Sequence, residues 1–495
     1  MLDPKSRFAS TGGHALALAL IVAASFALRV YVSRHCSFWL DEVWTRHDAA
    51  LGWPELLRGP SREHPPLMFW FVRASMALFG TGETAIRLPS LLFGGVLLVG
   101  VYLLCLELEL HATQALVVVA SVALSPFFAR HATEARQYSM LPAFTTFATL
   151  FALRLLRTPG SFRALLGFSL SAAAAAATQY FGLAYAAALI AALAAGAVWA
   201  WRRGDALPPL SARSLVVVGG LCIGLAIVAL RAIWLARFYT EHQNGFSTRD
   251  LFTSILREFS FFHERPLAAE VEPFVAAAGL VALGLRLRGV ARFVPFALAF
   301  PPCAGALLIS SGHAVAPRYL APSFVFYQLG ATAALLMLVD WLLGKDATIN
   351  VWNVLRSGAA ALLLIVPFGL RLAQYPAGYG AGRDYYAGLQ AYFDAGRAKH
   401  TALIVFPHFP GDFIMRTQYG IDAPIVSLES FQPIDGVTRY VIAEFERASQ
   451  ARQFEHELGK RLHVSQRRWR ALPLAPLAHS KFQPAVRARI LELAP

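Results

Sequence analysis

Apolar runs of about twenty residues recur along this chain, and a helix of that length crosses the hydrocarbon core of a bilayer. On that criterion about eleven candidate spans begin near Ala15, Thr84, Thr113, Met140, Ala164, Phe181, Leu215, Val271, Phe293, Tyr319 and Gly358. Lipid offers backbone groups no hydrogen-bond partner, so spans of this kind must be helices packed as a bundle. The expected fold is therefore a polytopic α-helical membrane protein. The first run, Ala15 to Val32, follows Lys5 and Arg7 as a signal peptide would. It is long and no small-residue cleavage site follows it convincingly, so it is expected to stay as the first span.

Of the 495 residues, 57% are hydrophobic and 15% charged, and the net charge is +14. That excess does not point to nucleic acid, because much of it sits in short loops between apolar spans, where membrane topology places it. One set of alternate loops carries Arg154, Arg157 and Arg163, then Arg202, Arg203 and Arg213, then Arg286, Arg288 and Arg292, then Lys345 and Arg356. Lysine and arginine resist translocation, so this set is expected on the cytoplasmic side. The opposite set then faces outward: 33–83, 236–270, the turn 130–137, the turn 310–318 and everything after about residue 374. Cys36, Cys105, Cys222 and Cys303 form no CxxC pair and read as small core residues, Cys36 alone lying outside an apolar stretch.

The predicted domains are a membrane module over 1–374, with its active site on the first outer loop, and a tail over 375–495. The tail is polar, with strand-like runs TALIVFP from Thr401, APIVSL from Ala423 and TRYVIAEF from Thr438, and helical stretches at 384–398 and 448–462. A small extracytoplasmic α/β domain is the expectation. The alanine run 172–177 suits close helix packing, and no fixed-period repeat occurs.

The first outer loop holds SFWLDEVWT, with Asp41 and Glu42 between Trp39 and Trp44. Aromatic residues favour the membrane interface, whereas adjacent carboxylates there require a reason. Farther on, Glu63 and His64 precede a Pro-Pro pair that can start an apolar helix on the outer leaflet. A carboxylate at this depth can deprotonate an acceptor as it attacks the anomeric carbon of a sugar whose leaving group is a lipid phosphate. Asp41 is the candidate base and Glu42 a second catalytic candidate; equally, both acids can serve only to cap a helix in the loop.

Two outer turns offer arginine for a phosphate. SPFFARHATEARQYSM supplies Arg130, Arg136 and Tyr138, and SSGHAVAPRYLAP supplies His313, Arg318 and Tyr319. Snorkelling to lipid head groups is the competing explanation for any one of these arginines. The outward segment 236–270 adds Glu241, His242, His263 and Glu264, in a lid, an acceptor site or a solvated loop. Glu63, His263 and His313 are candidate ligands of a divalent metal, although no HxxxH or HExxH spacing occurs. Gln179 and Tyr180 are polar groups where a carrier can pass, or simply interfacial.

Taken in order, the acidic pair, the EHPP at residues 63–66, Phe79-Gly80, Arg87-Leu88-Pro89, the EARQY at 134–138 and the PRYLAP at 317–322 resemble the GT-C superfamily of polyprenyl-phosphate-sugar-dependent glycosyltransferases. The nearer branch contains protein O-mannosyltransferases and the aminoarabinose transferases of lipid A. The resemblance is good over 38–138, patchy through the middle spans and recovered at 318–322. It implies inverting transfer from a polyprenyl-phosphate sugar to a lipid, polysaccharide or protein acceptor at the outer face of a bacterial-type inner membrane. Asp41 stands in the place of the family's catalytic first-loop acid. Glu63 stands where relatives contact substrate or, in some, a metal; Arg136 and Arg318 become the phosphate contacts. His64 replaces a lysine found in some relatives and Gln179 a histidine found in many, which leaves donor sugar and metal open. Two other readings compete: a transporter or flippase of lipid-linked sugars, and a non-catalytic scaffold on the same fold. Ionisable groups clustered on one side, without repeat symmetry, fit a transporter less well.

Overall fold

The computed structural model describes residues 12–34, 38, 40–58, 64–204, 211–236, 266–287, 294, 317–342, 401–406, 425–427, 439–444, 469–471 and 488–493. The chain divides into two compact units, Met1–Val30 with Asp48–Leu372, and Tyr31–His47 with Ala373–Pro495.

Helices dominate the described part of the first unit. They are α1 (Gly12–Arg34), α2 (Leu40–Ala50), α3 (Trp53–Arg58), α4 (Leu67–Phe79), α5 (Glu83–Glu107), α6 (Ala112–Leu124), α7 (Pro126–Thr133), α8 (Met140–Arg157), α9 (Phe162–Thr178), α10 (Phe181–Arg202), α11 (Ala212–Ala236), α12 (Pro266–Arg286) and α13 (Ala321–Leu342). The last turn of α1 and most of α2 fall in the Tyr31–His47 segment of the second unit. Among the described residues six helices are long and apolar enough to cross a membrane, or seven if the bent pair α6 and α7 counts as one span. The chain is thus a multi-pass helical membrane protein. The expected spans from Phe293 and Gly358 lie outside the described residues.

Two expected spans need correcting. The one from Thr113 runs straight only to Leu124, then turns by 63° into α7. Pro126 has no amide hydrogen, and it holds Ser125 extended at ψ 130°. Ser125 then restarts the helix by accepting the Phe128 amide on its hydroxyl. The span from Ala164, α9, has 17 residues, about 26 Å at helical rise, short of a full crossing without help from its neighbours.

Packing follows the apolar pattern. Leu97, Val101, Val118, Val122, Leu150, Leu153, Phe324 and Leu329 share one core, drawn from α5, α6, α8 and α13. By contrast only 6% of the apolar window of α11 is buried, against 61% for α5, and Val216, Ile223, Ile227 and Leu230 of α11 are exposed. Cys105 is buried, but Cys222 on α11 is exposed, so the reading of Cys222 as a core residue fails. Burial follows the face of a helix, which apolarity all round does not reveal.

At one end of the bundle Glu107 accepts from Arg154 Nε at 3.2 Å and Arg157 Nη1 at 2.7 Å, while Arg157 Nη2 reaches Glu109 at 3.2 Å. These ion pairs tie α5 to α8. The orientation argument survives them, because it rests on lysine and arginine and not on net charge.

Helices α12 and α13 meet backbone to backbone. A Cβ at Gly279 would strike the Gly330 carbonyl, and one at Gly330 would strike the Ala276 carbonyl, the close approach that small residues permit between membrane helices.

In the second unit, β1 (Thr401–Phe406), β2 (Ile425–Ser427), β3 (Arg439–Glu444), β4 (Trp469–Ala471) and β5 (Ala488–Leu493) form one sheet in the order β2-β1-β3-β5-β4. β1 pairs in parallel with β2 and β3, whereas β5 runs antiparallel to β3 and β4. The first three strands lie in the runs read from the sequence; β4 and β5 were missed. The predicted helices at 384–398 and 448–462 lie outside the described residues.

The α12/α13 crossing predicts that Gly330→Val will lower the thermal unfolding midpoint in detergent by about 1–3 °C, from an overpacking cost of about 1–3 kcal/mol. Gly224→Val on α11, where an added Cβ meets open space, is expected to leave the midpoint in place.

Candidate functional site

The first unit gathers its polar groups around the irregular link from Glu134 to Ser139, between α7 and α8. Two serines stitch this link to α5: Ser90 Oγ donates to the Arg136 carbonyl at 2.9 Å, and Ser139 Oγ donates to the Ser90 carbonyl at 2.8 Å. The backbone of a loop inside an apolar bundle has to find such partners.

His64 enters from the other side, just before α4. Pro65 and Pro66 follow it, and α4 starts at Leu67 with Pro66 as its cap residue. His64 is buried, with Nε2 2.6 Å from Arg136 Nη2 and Nδ1 3.4 Å from the Gln137 amide nitrogen. A guanidinium only donates, so Nε2 is the acceptor and Nδ1 carries the hydrogen. The Gln137 amide therefore has to turn its oxygen toward Nδ1, a rotation that exchanges two nearly identical atoms. Burial first, and then the Arg136 and Arg318 charges, hold the His64 pKa well below its ordinary value. His64 is thus a neutral acceptor that orients Arg136.

Arg318 arrives on the 3-10 turn Pro317–Leu320 that leads into α13. Its guanidinium carbon lies 6.0 Å from the centroid of the Tyr138 ring and 5.6 Å from that of Tyr319. Arg136 also lies 6.0 Å from the Tyr138 centroid. The two arginines predicted from separate turns therefore meet around one phenol ring, within cation–π reach. Tyr138 and Tyr319 have their centroids 6.5 Å apart, and Phe181, at the start of α10, lies 6.2 Å from Tyr319.

The helix α7 supplies the members that sequence reasoning missed. Arg130 and His131 lie within it and not in a turn, and Glu134 follows it directly. Glu134 is buried, 3.2 Å from His131 Nδ1 and 3.3 Å from Arg130 Nε. Burial pushes its carboxyl up, but His131, Arg130 and Arg318 together outweigh that and bring it down to about 2. It is a carboxylate at neutral pH. His131 packs edge-on to Tyr138 at 5.2 Å and to Phe127 at 4.5 Å. The signal was present in the spacing His131-x-x-Glu134, one helical turn.

The cluster thus holds the guanidiniums of Arg130, Arg136 and Arg318 against one carboxylate. It is an electropositive cluster whose chemistry suits an anion with several oxygens, such as a phosphate diester. Gln179, at the C-cap of α9, is buried, and its Oε1 has no donor among the described residues. Tyr180, next to it, has the Arg231 charge of α11 nearby.

Asp41 and Glu42 belong to the second unit. Helix α2 begins at Leu40, so both acids lie in its first turn and not at its cap, and the helix dipole favours them there. Thr45 Oγ1 donates to the Asp41 carbonyl at 2.9 Å, while Glu42 is buried and Asp41 half-buried. Glu63, His263 and His313 lie outside the described residues. Among the described residues no three histidine, cysteine, aspartate or glutamate side chains group as a metal site.

Residues 63–234, which carry His64, Glu134, Arg136 and Tyr138, match the family described as dolichyl-phosphate-mannose-protein mannosyltransferase. That match covers about a third of the chain, and it falls on the stretch whose motifs resemble the GT-C superfamily. Its fold is similar to that of ArnT from Cupriavidus metallidurans bound to undecaprenyl phosphate, with a TM-score of 0.54 at 14% identity over 98% of this chain and 99% of that one. The apo form of the same protein gives 0.54 at 15% identity, over 83% and 85%. The oligosaccharyltransferase of Archaeoglobus fulgidus, in complex with Zn and sulfate, gives 0.50 at 13% identity, over 92% of this chain and 71% of that one. No curated protein sequence matches the chain. The resemblance read from the loop motifs is borne out.

Neutral His64 makes folding pH-dependent. Its folded pKa is lowered, so the unfolded chain binds a proton that the folded chain refuses, and stability falls as pH drops below about 6.5, by at most about 1.4 kcal/mol per unit. Between pH 7.5 and 5.5 the wild type is expected to lose more thermal stability than His64→Gln, which keeps an acceptor for Arg136 without titrating. Parallel losses would show that His64 is not held neutral.

Proposed function

We propose that this GT-C glycosyltransferase moves a sugar, with inversion, from a polyprenyl-phosphate carrier to a lipid, polysaccharide or protein acceptor at the outer face of a bacterial-type inner membrane. The observation that carries this reading is the convergence of Arg136 and Arg318 on Tyr138, within a unit whose residues 63–234 match a family of polyprenyl-type mannosyltransferases. The relative ArnT was solved with undecaprenyl phosphate.

The donor is a phosphate diester carrying one negative charge. As the anomeric C–O bond breaks, its electron pair stays on the phosphate, which leaves as a monoester with growing charge. Two guanidiniums, Arg136 on the buried link and Arg318 on the 3-10 turn before α13, can stabilise that charge without reorganising. Asp41 takes the proton of the acceptor hydroxyl or amine as that atom bonds to the anomeric carbon from the opposite face. His64 acts through Arg136, to which it is bonded. Tyr319, Gln179 and Tyr180 border the donor's path, Glu63 contacts the substrate, and Glu42 supports α2. A full set of eleven spans and an extracytoplasmic α/β domain that selects the acceptor complete the proposal.

Comparing the masses of envelope glycolipids, polysaccharides and glycoproteins with and without the gene is expected to reveal one missing sugar increment. An unchanged envelope would overturn the transferase reading. In a reconstituted assay Asp41→Asn is expected to reduce transfer by about 10²–10⁴-fold, the usual worth of a general base, while the protein still inserts normally. Full activity in that variant would remove Asp41 as the base. Arg318→Ala is expected to raise the KM for the lipid-linked donor by about tenfold or more, as loss of a charge-assisted contact does; an unchanged KM would return Arg318 to head-group anchoring.

A further inference from the structure

A charged side chain inside a membrane span is costly and calls for a reason, and α1 carries one. Arg29 is 1% exposed and lies five residues before the end of that helix. Its Nη1 donates to Ser25 Oγ, one turn back, and its Nη2 donates to the Ala123 carbonyl at 3.3 Å. Its guanidinium carbon also lies 4.4 Å from the centroid of the Phe128 ring. Ala123 belongs to α6 and Phe128 to α7, so one planar cation bridges the two halves of the 63° bend.

The bend creates the need for such a group. The α-helical donor to the Ala123 carbonyl would be the Phe127 amide, and the 63° turn at Ser125-Pro126 carries that amide off the α6 axis. The Ala123 carbonyl is left pointing into an apolar bundle, where an acceptor without a donor is unfavourable. Arginine can donate in its own plane while offering its face to an aromatic ring. Lysine, a point charge, cannot make both contacts in one geometry.

The direction of α7 decides where the site's second layer falls. Arg130 and His131 lie on α7 and Glu134 at its end; His131 packs on Tyr138, and Glu134 lies within electrostatic reach of Arg318. We propose that Arg29 is a positioning residue, which locks the α6/α7 bend and thereby holds His131 and Glu134 beside the Arg318 and Tyr138 cluster. Its effect on catalysis rests on the donor-phosphate reading above; its effect on the bend does not.

Both parts can be tested with Arg29→Met and Arg29→Lys in the purified full-length chain. Without any donor, amide hydrogen exchange over 126–134 is expected to speed up by about tenfold or more in Arg29→Met, with α8 unchanged, because only the local opening is made easier. Arg29→Lys is expected to show a smaller acceleration in the same segment, and it serves as the measured variant if the methionine variant does not fold. Unchanged exchange over 126–134, or acceleration spread equally through α5 and α8, would overturn the proposal. With the polyprenyl-linked donor, KM is expected to rise by about tenfold while kcat stays within about threefold; an unchanged KM beside a loosened segment would overturn the link to the donor site. If the wild type transferred no sugar from any such donor, the proposed function would fall, and the exchange measurement would still judge the lock.

Discussion

The hydrogen bonds between Ser90 and the link from Glu134 to Ser139 allow a piece of irregular chain to sit inside an apolar bundle. A buried loop exposes backbone groups that no helix answers; Ser90 of α5 donates to the Arg136 carbonyl, and Ser139 of the link donates back to the Ser90 carbonyl. The link carries Glu134, Arg136 and Tyr138, so every geometric relation of the site depends on it: the 2.6 Å bond from Arg136 to His64, the approach of Arg318 to Tyr138 and the pairing of Glu134 with His131. The same restriction on backbone in lipid explains the bend before it, where Pro126 interrupts the helix and Ser125 and Arg29 supply partners.

The charges around the link form a graded set. Glu134 stays ionised although buried, because His131, Arg130 and Arg318 surround it, and His64 stays neutral because burial and two arginines oppose its proton. The guanidiniums keep a positive balance with fixed orientations, which suits a phosphate whose charge grows as a bond breaks. Packing keeps these groups in place: Tyr138, Tyr319, Phe127 and Phe181 fill the space between them with rings whose faces tolerate cations.

Several parts of this arrangement were legible in the residues. Apolar length located nine of eleven expected helices, and turn composition singled out Arg136, Tyr138, Arg318 and Tyr319. The failures have physical causes. Apolarity alone did not show that the run from Thr113 breaks at Ser125-Pro126, since the residues on either side of that pair, Ala123-Leu124 and Phe127-Phe128-Ala129, are apolar, and the expected turn lay later, at 130–137. Nor did it show that Cys222 faces outward, because α11 is apolar on all sides and burial is decided by its neighbours. His131 and Glu134 stood inside the quoted motifs without being singled out, although their spacing of one helical turn was in view.

By itself the sequence determined the class of the molecule. Apolar runs of bilayer length leave no alternative to a helical bundle, and the ordered motifs of the first loop and the two arginine turns carry its resemblance to the GT-C superfamily. Only the tertiary structure decided that these arginines share one ring, that His64 is a neutral partner of Arg136, and that Arg29 in the first span braces a bend far along the chain. Hydrophobic length is a local property, written residue by residue. The meeting of Arg136 with Arg318 depends on how α5, α7, α8 and α13 pack against one another, and no single stretch of chain records it.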